Sequence, residues 1–278
     1  MKEIFDHVSD DCSKLVTRRY STSFSLGIRF LAKELQGPIC AIYGFVRLAD
    51  EIVDSFHGFD KAQLLAKFDA DCFDAIKHHI SLNPILNAFQ KTINTYNIDP
   101  LLVKTFLHSM EMDLDKIEYT EDKYEEYILG SAQVVGLMCL YIFVEGKEEA
   151  YQKLKDSAMK LGSAFQKVNF LRDLSMDYQL LNRSYFPNVD AGNFSLADKK
   201  AIEEDIEAEF MAALSGIKQL PKSSQKGVYL AYTYYYQLFK KISKTPPEKI
   251  LAKRIRISNP RKFGLMFSAV VRYQVGMM

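Results

Sequence analysis

The sequence is short of the residues that build tight loops and cofactor cradles. It holds 13 glycines and 8 prolines in 278 residues, and no tryptophan. Neither a Walker A loop nor GxGxxG occurs, so nothing points to a P-loop or a hydride-transferring nicotinamide site. The five histidines, His7, His57, His78, His79 and His108, make no HExxH, and there is no GxSxG elbow. Cys12, Cys40, Cys72 and Cys139 are too far apart for a zinc pattern. Cys40 and Cys139 sit in apolar runs and read as small core residues, a usage that fits a reducing cytosol. The longest apolar run, about Val134 to Val144, is too short to cross a bilayer. The chain opens on charged residues without an apolar h-region, so no signal peptide is expected. A net charge of +1 argues against a nucleic-acid partner.

What is present is apolar and helical. Hydrophobic residues make up 48% of the chain, enough for a sizeable core. With no linker, repeat or low-complexity tract, residues 1–278 read as one domain. Turn formers fall at Gly37-Pro38, Asn83-Pro84, Asp99-Pro100, Pro187, Pro221, Pro246-Pro247 and Asn259-Pro260, where helices are predicted to break. Asp99 reads as an N-cap before a proline at the first helical position. Between the breaks the apolar spacing is helical, as in Leu101, Phe106, Leu107, Met110 and Leu114. The prediction is an all-α chain of roughly ten helices with essentially no sheet.

Two segments break the amphipathic rule. Ile39 to Phe56 is apolar nearly all round, yet carries Arg47, Asp50, Glu51 and Asp54. Leu161 to Leu181 is similar, with Gln166, Asn169, Arg172, Asp173 and Asp177 among Phe165, Val168, Phe170, Leu171 and Leu174. Helices apolar on most faces are buried. Buried carboxylates are costly unless paired or bound to metal. Asp50/Asp54 and Asp173/Asp177 are each four apart, so each pair shares one helix face. Arg47 lies one turn before the first pair; Asn169 and Gln166 lie one and two turns before Asp173. Magnesium, which takes one or two carboxylates together with substrate phosphates, would relieve the repulsion within each pair. A salt-bridge network with arginines is the other reading of the same residues. A third pair, Asp6 and Asp10, reads as a solvated helix face.

Arg18-Arg19-Tyr20-Ser21-Thr22-Ser23-Phe24-Ser25 sets two arginines beside hydroxyls, groups that suit phosphate oxygens. Taken alone, it reads better as a helix end followed by an N-cap. From Lys240 to Arg272 there are ten Lys or Arg and one acid, Glu248. Such a stretch suits an anionic ligand, an anionic membrane surface or a solvated helix. Within it, Arg254, Arg256, Arg261 and Lys262 could face the same anion. Tyr43, Phe45, Phe165, Phe170, Tyr232 and the run Tyr234 to Tyr236 read as core, or as the lining of a deep apolar cavity whose ring faces would suit a cation.

These residues together resemble the squalene/phytoene synthase family, over about Cys12 to Leu265. The anchors are Tyr20 to Ser25, Ala41 to Asp54, Met110-Glu-Met-Asp-Leu114, Gly162 to Asp173 with Asp177, and Arg183 to Pro187. The resemblance implies an isoprenoid synthase fold around a central cavity. It implies magnesium, or manganese in its place, held by Asp50, Asp54, Asn169, Asp173 and Asp177. It implies diphosphate contacts from Ser21, Ser23, Tyr43, Arg47, Gln166, Tyr235, Arg254 and Lys262, with Arg47 and the four aspartates as the catalytic set.

The implied reaction joins two prenyl diphosphates head to head through a cyclopropylcarbinyl diphosphate. From two geranylgeranyl diphosphates the product is phytoene, and no NADPH is expected. Squalene or dehydrosqualene from farnesyl diphosphate is the alternative. A non-catalytic prenyl-lipid-binding helical protein is the alternative of another class, disfavoured because both aspartate motifs are complete. Leu129 and Gln133 stand where many relatives carry tyrosine and glycine. C30 makers carry bulky aromatics at the positions matching Ile28 and Cys40; the smaller residues here imply room for longer tails. Greasy substrate and product imply a cytoplasmic protein with peripheral contact at the inner membrane face, without a C-terminal anchor.

Overall fold

Side-chain caps and prolines set most helix starts. The Asn83 carboxamide accepts from the Ile85 and Leu86 amides ahead of Pro84, and Asp99 accepts from Leu101 ahead of Pro100. Ser195 and Asp198 exchange hydrogen bonds as a capping box. The computed structural model describes residues 1–114, 119–181, 185–187, 189, 194–276 and 278, and for 176–181, 259–261 and 263 the backbone alone. Among the described residues the regular structure is entirely helical. In chain order it comprises α1 (Lys2–Tyr20), α2 (Thr22–Ile28), α3 (Lys33–Asp54), α4 (Lys61–His78), α5 (Pro84–Tyr96), α6 (Pro100–Met112) and α7 (Glu121–Ile128). A π segment (Leu129–Gln133) leads into α8 (Val134–Phe143), then α9 (Glu148–Leu181), α10 (Leu196–Ile217), α11 (Lys222–Ser243), α12 (Pro247–Ala252) and α13 (Asn259–Gln274).

Three sequence expectations are corrected. Gly37-Pro38 does not end a helix: α3 runs through it. Pro38 lies in the second turn, where it forfeits one backbone bond, and the missing Cβ of Gly37 removes the clash that proline imposes on the residue before it. Leu101 leaves the predicted apolar stripe and is 62% exposed, whereas Phe106, Leu107 and Met110 are buried. Asp6 is not simply solvated. It pairs with Lys2 at 2.9 Å and accepts from the Asn87 amide at 3.0 Å, while Asp10 meets Lys91 at 3.5 Å, so this pair ties α1 to α5.

The core is organised by α3. The Phe45 ring lies flat on Phe89 of α5, with centroids 3.8 Å apart, and beside Phe68 of α4 and Phe106 of α6. Burying each such ring contributes about 1.5–3 kcal/mol. Helix α8 packs against both α3 and α9, and so joins the two helices that carry the acidic motifs. The approach of α8 and the π segment before it to α9 is close. A Cβ on Gly162 would stand 2.5 Å from the Ala132 carbonyl oxygen, and one on Gly136 2.8 Å from that of Ala158. Together with the π segment, α7 and α8 form a rod, Glu121–Phe143, long and apolar enough to cross a membrane by length and composition. Half of that window is buried, against α6 and α9 among others, as a core helix would be.

Candidate active site

A cavity of about 500 Å³ lies between α2, α3, the π segment with α8, α9 and α11. Ile28, Leu31, Ile39, Val46, Leu140 and Phe143 give it apolar walls. Its polar part brings together Ser21, Tyr43, Arg47, Asp50, Gln166, Asn169, Tyr235 and Arg254, eight of the residues expected from the sequence. A second compartment of about 300 Å³ adjoins it, lined by Ser23, Arg256 and Lys262 among others. Tyr20, Ser21, Arg172, Tyr235 and Arg254 line both, so they form the partition between a greasy hollow and a cationic one.

Local structure explains each placement. Helix α1 ends at Tyr20, and Ser21 caps α2 by accepting from the Phe24 amide at 3.1 Å. The helix-end reading of this stretch therefore holds, and the same turn delivers Ser21 to both compartments. Arg47 pairs with Glu51 one turn along α3, and its guanidinium carbon sits 4.4 Å from the Tyr20 ring centroid. Its Nε is buried without a hydrogen-bond partner. The Asp50 carboxyl is pushed up to about 7, chiefly by burial, then by the charge of Asp54, with Arg47 opposing and Asp113 adding to the rise. Asp54 is exposed one turn further on.

On α9, Asp173 is clamped by two arginines. Arg172 reaches it at 2.6 and 3.0 Å, and Arg254 at 2.7 Å. The salt-bridge reading thus describes Asp173 here. The side chain of Asp177 lies outside the described residues. The Gln166 amide donates to Ser131 at 3.4 Å, and Asn169 donates to Gln166 at 3.4 Å. The Asn169 carbonyl oxygen is buried with no partner. Tyr235 stacks on Phe165 at 4.0 Å and meets Phe24, which in turn meets Tyr43. Burial pushes the Tyr43 phenol up to about 12, so it stays neutral. Lys262 donates to the Thr22 hydroxyl at 3.0 Å.

Among the described residues no three acids, histidines or cysteines converge closely enough to hold a metal unaided. The donors fit a cation that brings phosphate oxygens as further ligands. Asp50 and Asp54 crowd like charge, and Asn169 offers an orphan acceptor on the wall of the cavity that Asp50 also lines.

The sequence reading missed several neighbours. Asp113, buried at the end of α6, accepts from the Tyr127 hydroxyl at 2.6 Å, and its charge is felt by Asp50. Tyr127, Tyr20 and Arg172 line the cavity. Tyr20, Asp113 and Arg172 lie within the anchor segments and Tyr127 lies outside them, and no spacing rule singles any of them out. Cys40 is corrected: it is buried toward Thr17 of α1 rather than on the cavity wall, which Ile28 does line. Leu129 and Gln133 are off the wall, while Ser131, Ala132, Val135 and Gly136 are on it.

The family profile described as squalene/phytoene synthase matches residues 17–261. The chloroplastic phytoene synthase of Narcissus pseudonarcissus is 24% identical over 273 residues, covering 87% of this chain and 60% of that protein. The phytoene synthase of Pseudescherichia vulneris is 24% identical, covering 90% of this chain and 87% of that one. A solved dehydrosqualene synthase in complex with ligand superposes with a TM-score of 0.81 at 19% identity, covering 97% of this chain and 98% of that one. The helical fold is thus the isoprenoid synthase fold of squalene and dehydrosqualene synthases. With a profile spanning both acidic helices and a cavity lined by residues of both, this chain belongs to the squalene/phytoene synthase family.

Proposed function

We propose that the protein condenses two geranylgeranyl diphosphates head to head, releases diphosphate and forms phytoene. One observation carries this reading: an apolar cavity of about 500 Å³, whose polar lining holds a buried orphan donor, Arg47 Nε, and a buried orphan acceptor, Asn169 Oδ1, opens beside a cationic compartment. Such a boundary suits a molecule with an anionic head and a long apolar tail.

Asp50, Asp54, Asn169, Asp173 and Asp177 would hold magnesium or manganese, with the substrate phosphates completing the ligand sets. The bound metal would neutralise charge on the departing diphosphate. Arg172, Arg254 and Lys262 take up the remaining negative charge in the cationic compartment. Ser21, Ser23, Tyr43, Gln166 and Tyr235 orient the head groups. The rings of Phe24, Tyr43, Phe165 and Tyr235 face the allylic cation and keep water from it. The cyclopropylcarbinyl diphosphate then ionises, rearranges and loses a proton, so no reductant is consumed. Relatives named phytoene synthase favour the C40 product; the dehydrosqualene synthase likeness keeps the C30 product from farnesyl diphosphate as the second reading. The greasy substrate places the work in the cytoplasm, at the inner membrane face.

The test is direct. Purified protein with magnesium is given geranylgeranyl or farnesyl diphosphate, with and without NADPH, and hydrocarbons are extracted. Phytoene without NADPH is expected. Squalene formed only with NADPH would overturn the product, and no hydrocarbon from either substrate would overturn the reaction.

A further inference from the structure

Helix α13 is two-faced. Met266 and Ala269 are buried and Tyr273 packs toward Tyr229 of α11, whereas Phe267, Val271 and Val275 are 73%, 42% and 56% exposed. These three lie four residues apart, so they form one apolar stripe along the outer face. The charge along this end of the sequence is of one sign. Residues 249–278 contain seven Lys or Arg and not one Asp or Glu. Arg272 lies on α13's exposed side, and Lys222 of α11 sits 5.8 Å from the Tyr273 ring centroid. At the other end of the helix, Lys262 lines the cationic compartment and bonds Thr22, so the helix that carries the stripe starts at the site.

We infer that this face of α13 docks on an anionic phospholipid bilayer. An apolar stripe rimmed by cations inserts among acyl chains while the rim meets acidic head groups. Helix α1 provides the contrast. It exposes Ile4, Val8 and Leu15 on one face, but Glu3 and Asp11 share that side with Arg18 and Arg19, so its rim is of mixed sign and an acidic bilayer gains little there. The inference rests on the prenyl-diphosphate reading for its purpose alone: membrane-dissolved substrate would reach the cavity beside the docked helix. The docking itself is measured without substrate.

The test is flotation of the full chain with vesicles of phosphatidylglycerol and phosphatidylcholine, against vesicles of phosphatidylcholine only. Binding to the anionic vesicles is expected to be about tenfold tighter or more, and to weaken as salt rises. Phe267→Ser with Val271→Ser should lower it about tenfold or more, while turnover of detergent-dispersed substrate stays unchanged. Arg272→Glu, which leaves the packing intact, should weaken binding to anionic vesicles and not to neutral ones. Equal binding to both vesicle types overturns the inference, as does wild-type binding by the Phe267/Val271 variant. A concentration-dependent dimer that this variant abolishes would assign the face to a second copy instead.

Discussion

Burial and nearby carboxylates hold the Asp50 carboxyl at about 7, against an ordinary 3.8. The sign of the consequence follows from linkage. A folded value above the unfolded one means the folded state gains most when the group is protonated. That stability is complete below about 3.8 and is lost as pH rises through about 7. Without divalent ions, Asp50→Asn should therefore gain melting temperature on the wild type between pH 5 and pH 8, read by thermal unfolding across that range, and should lose hydrocarbon synthesis. A constant difference between the two proteins would contradict it. Asp50 was legible from the sequence because a carboxylate on an otherwise apolar helix is costly. Asp113 was not, because its meaning comes from Tyr127, fourteen residues away and across a helix boundary.

At the scale of elements, the contact between α9 and the π segment is set by glycine. Gly162→Ala would drive a methyl to 2.5 Å from the Ala132 carbonyl, and backbone cannot yield as a side-chain tip can. Such overpacking costs about 1–3 kcal/mol. Gly264 of α13 has nothing within 4 Å of its Cβ position. There alanine should stabilise, by up to about 1 kcal/mol, because glycine loses more chain entropy in a helix. Urea unfolding of the two variants should move in opposite directions. The helices themselves were readable from caps, as at Asp99 and Pro100. The π segment was not, since Leu129 to Gln133 has the composition of ordinary helix and its extra residue shows only against α6 and α9. Pro38 misled because proline early in a helix breaks little, and the chain around it carries on.

At the scale of the whole molecule, the cavity links tail length to product. Ile28 lines it and Cys40 does not. Ile28→Phe should shift hydrocarbon output from C40 toward C30 when both prenyl diphosphates are supplied, measured by chromatography of the extract. Cys40→Trp should instead overpack the interface with α1, lowering the melting temperature without shifting chain length. A change of product with Cys40→Trp in a protein of unaltered stability would place that residue on the tail path. The all-helical class was visible in periodicity, and the central cavity between the motif helices was implied by the family resemblance. The two-compartment division was not, because it depends on which side of α9 each arginine takes.

Two guanidinium groups already hold the Asp173 carboxylate before any substrate arrives. A bare divalent ion must compete with them for its oxygens, whereas pyrophosphate attracts the same arginines and can draw Arg254 off the carboxylate. The expected order of arrival is anion first, or anion and metal as one neutralised unit. Calorimetric titration of magnesium into the protein should give little heat alone, and a saturable signal once inorganic pyrophosphate is present.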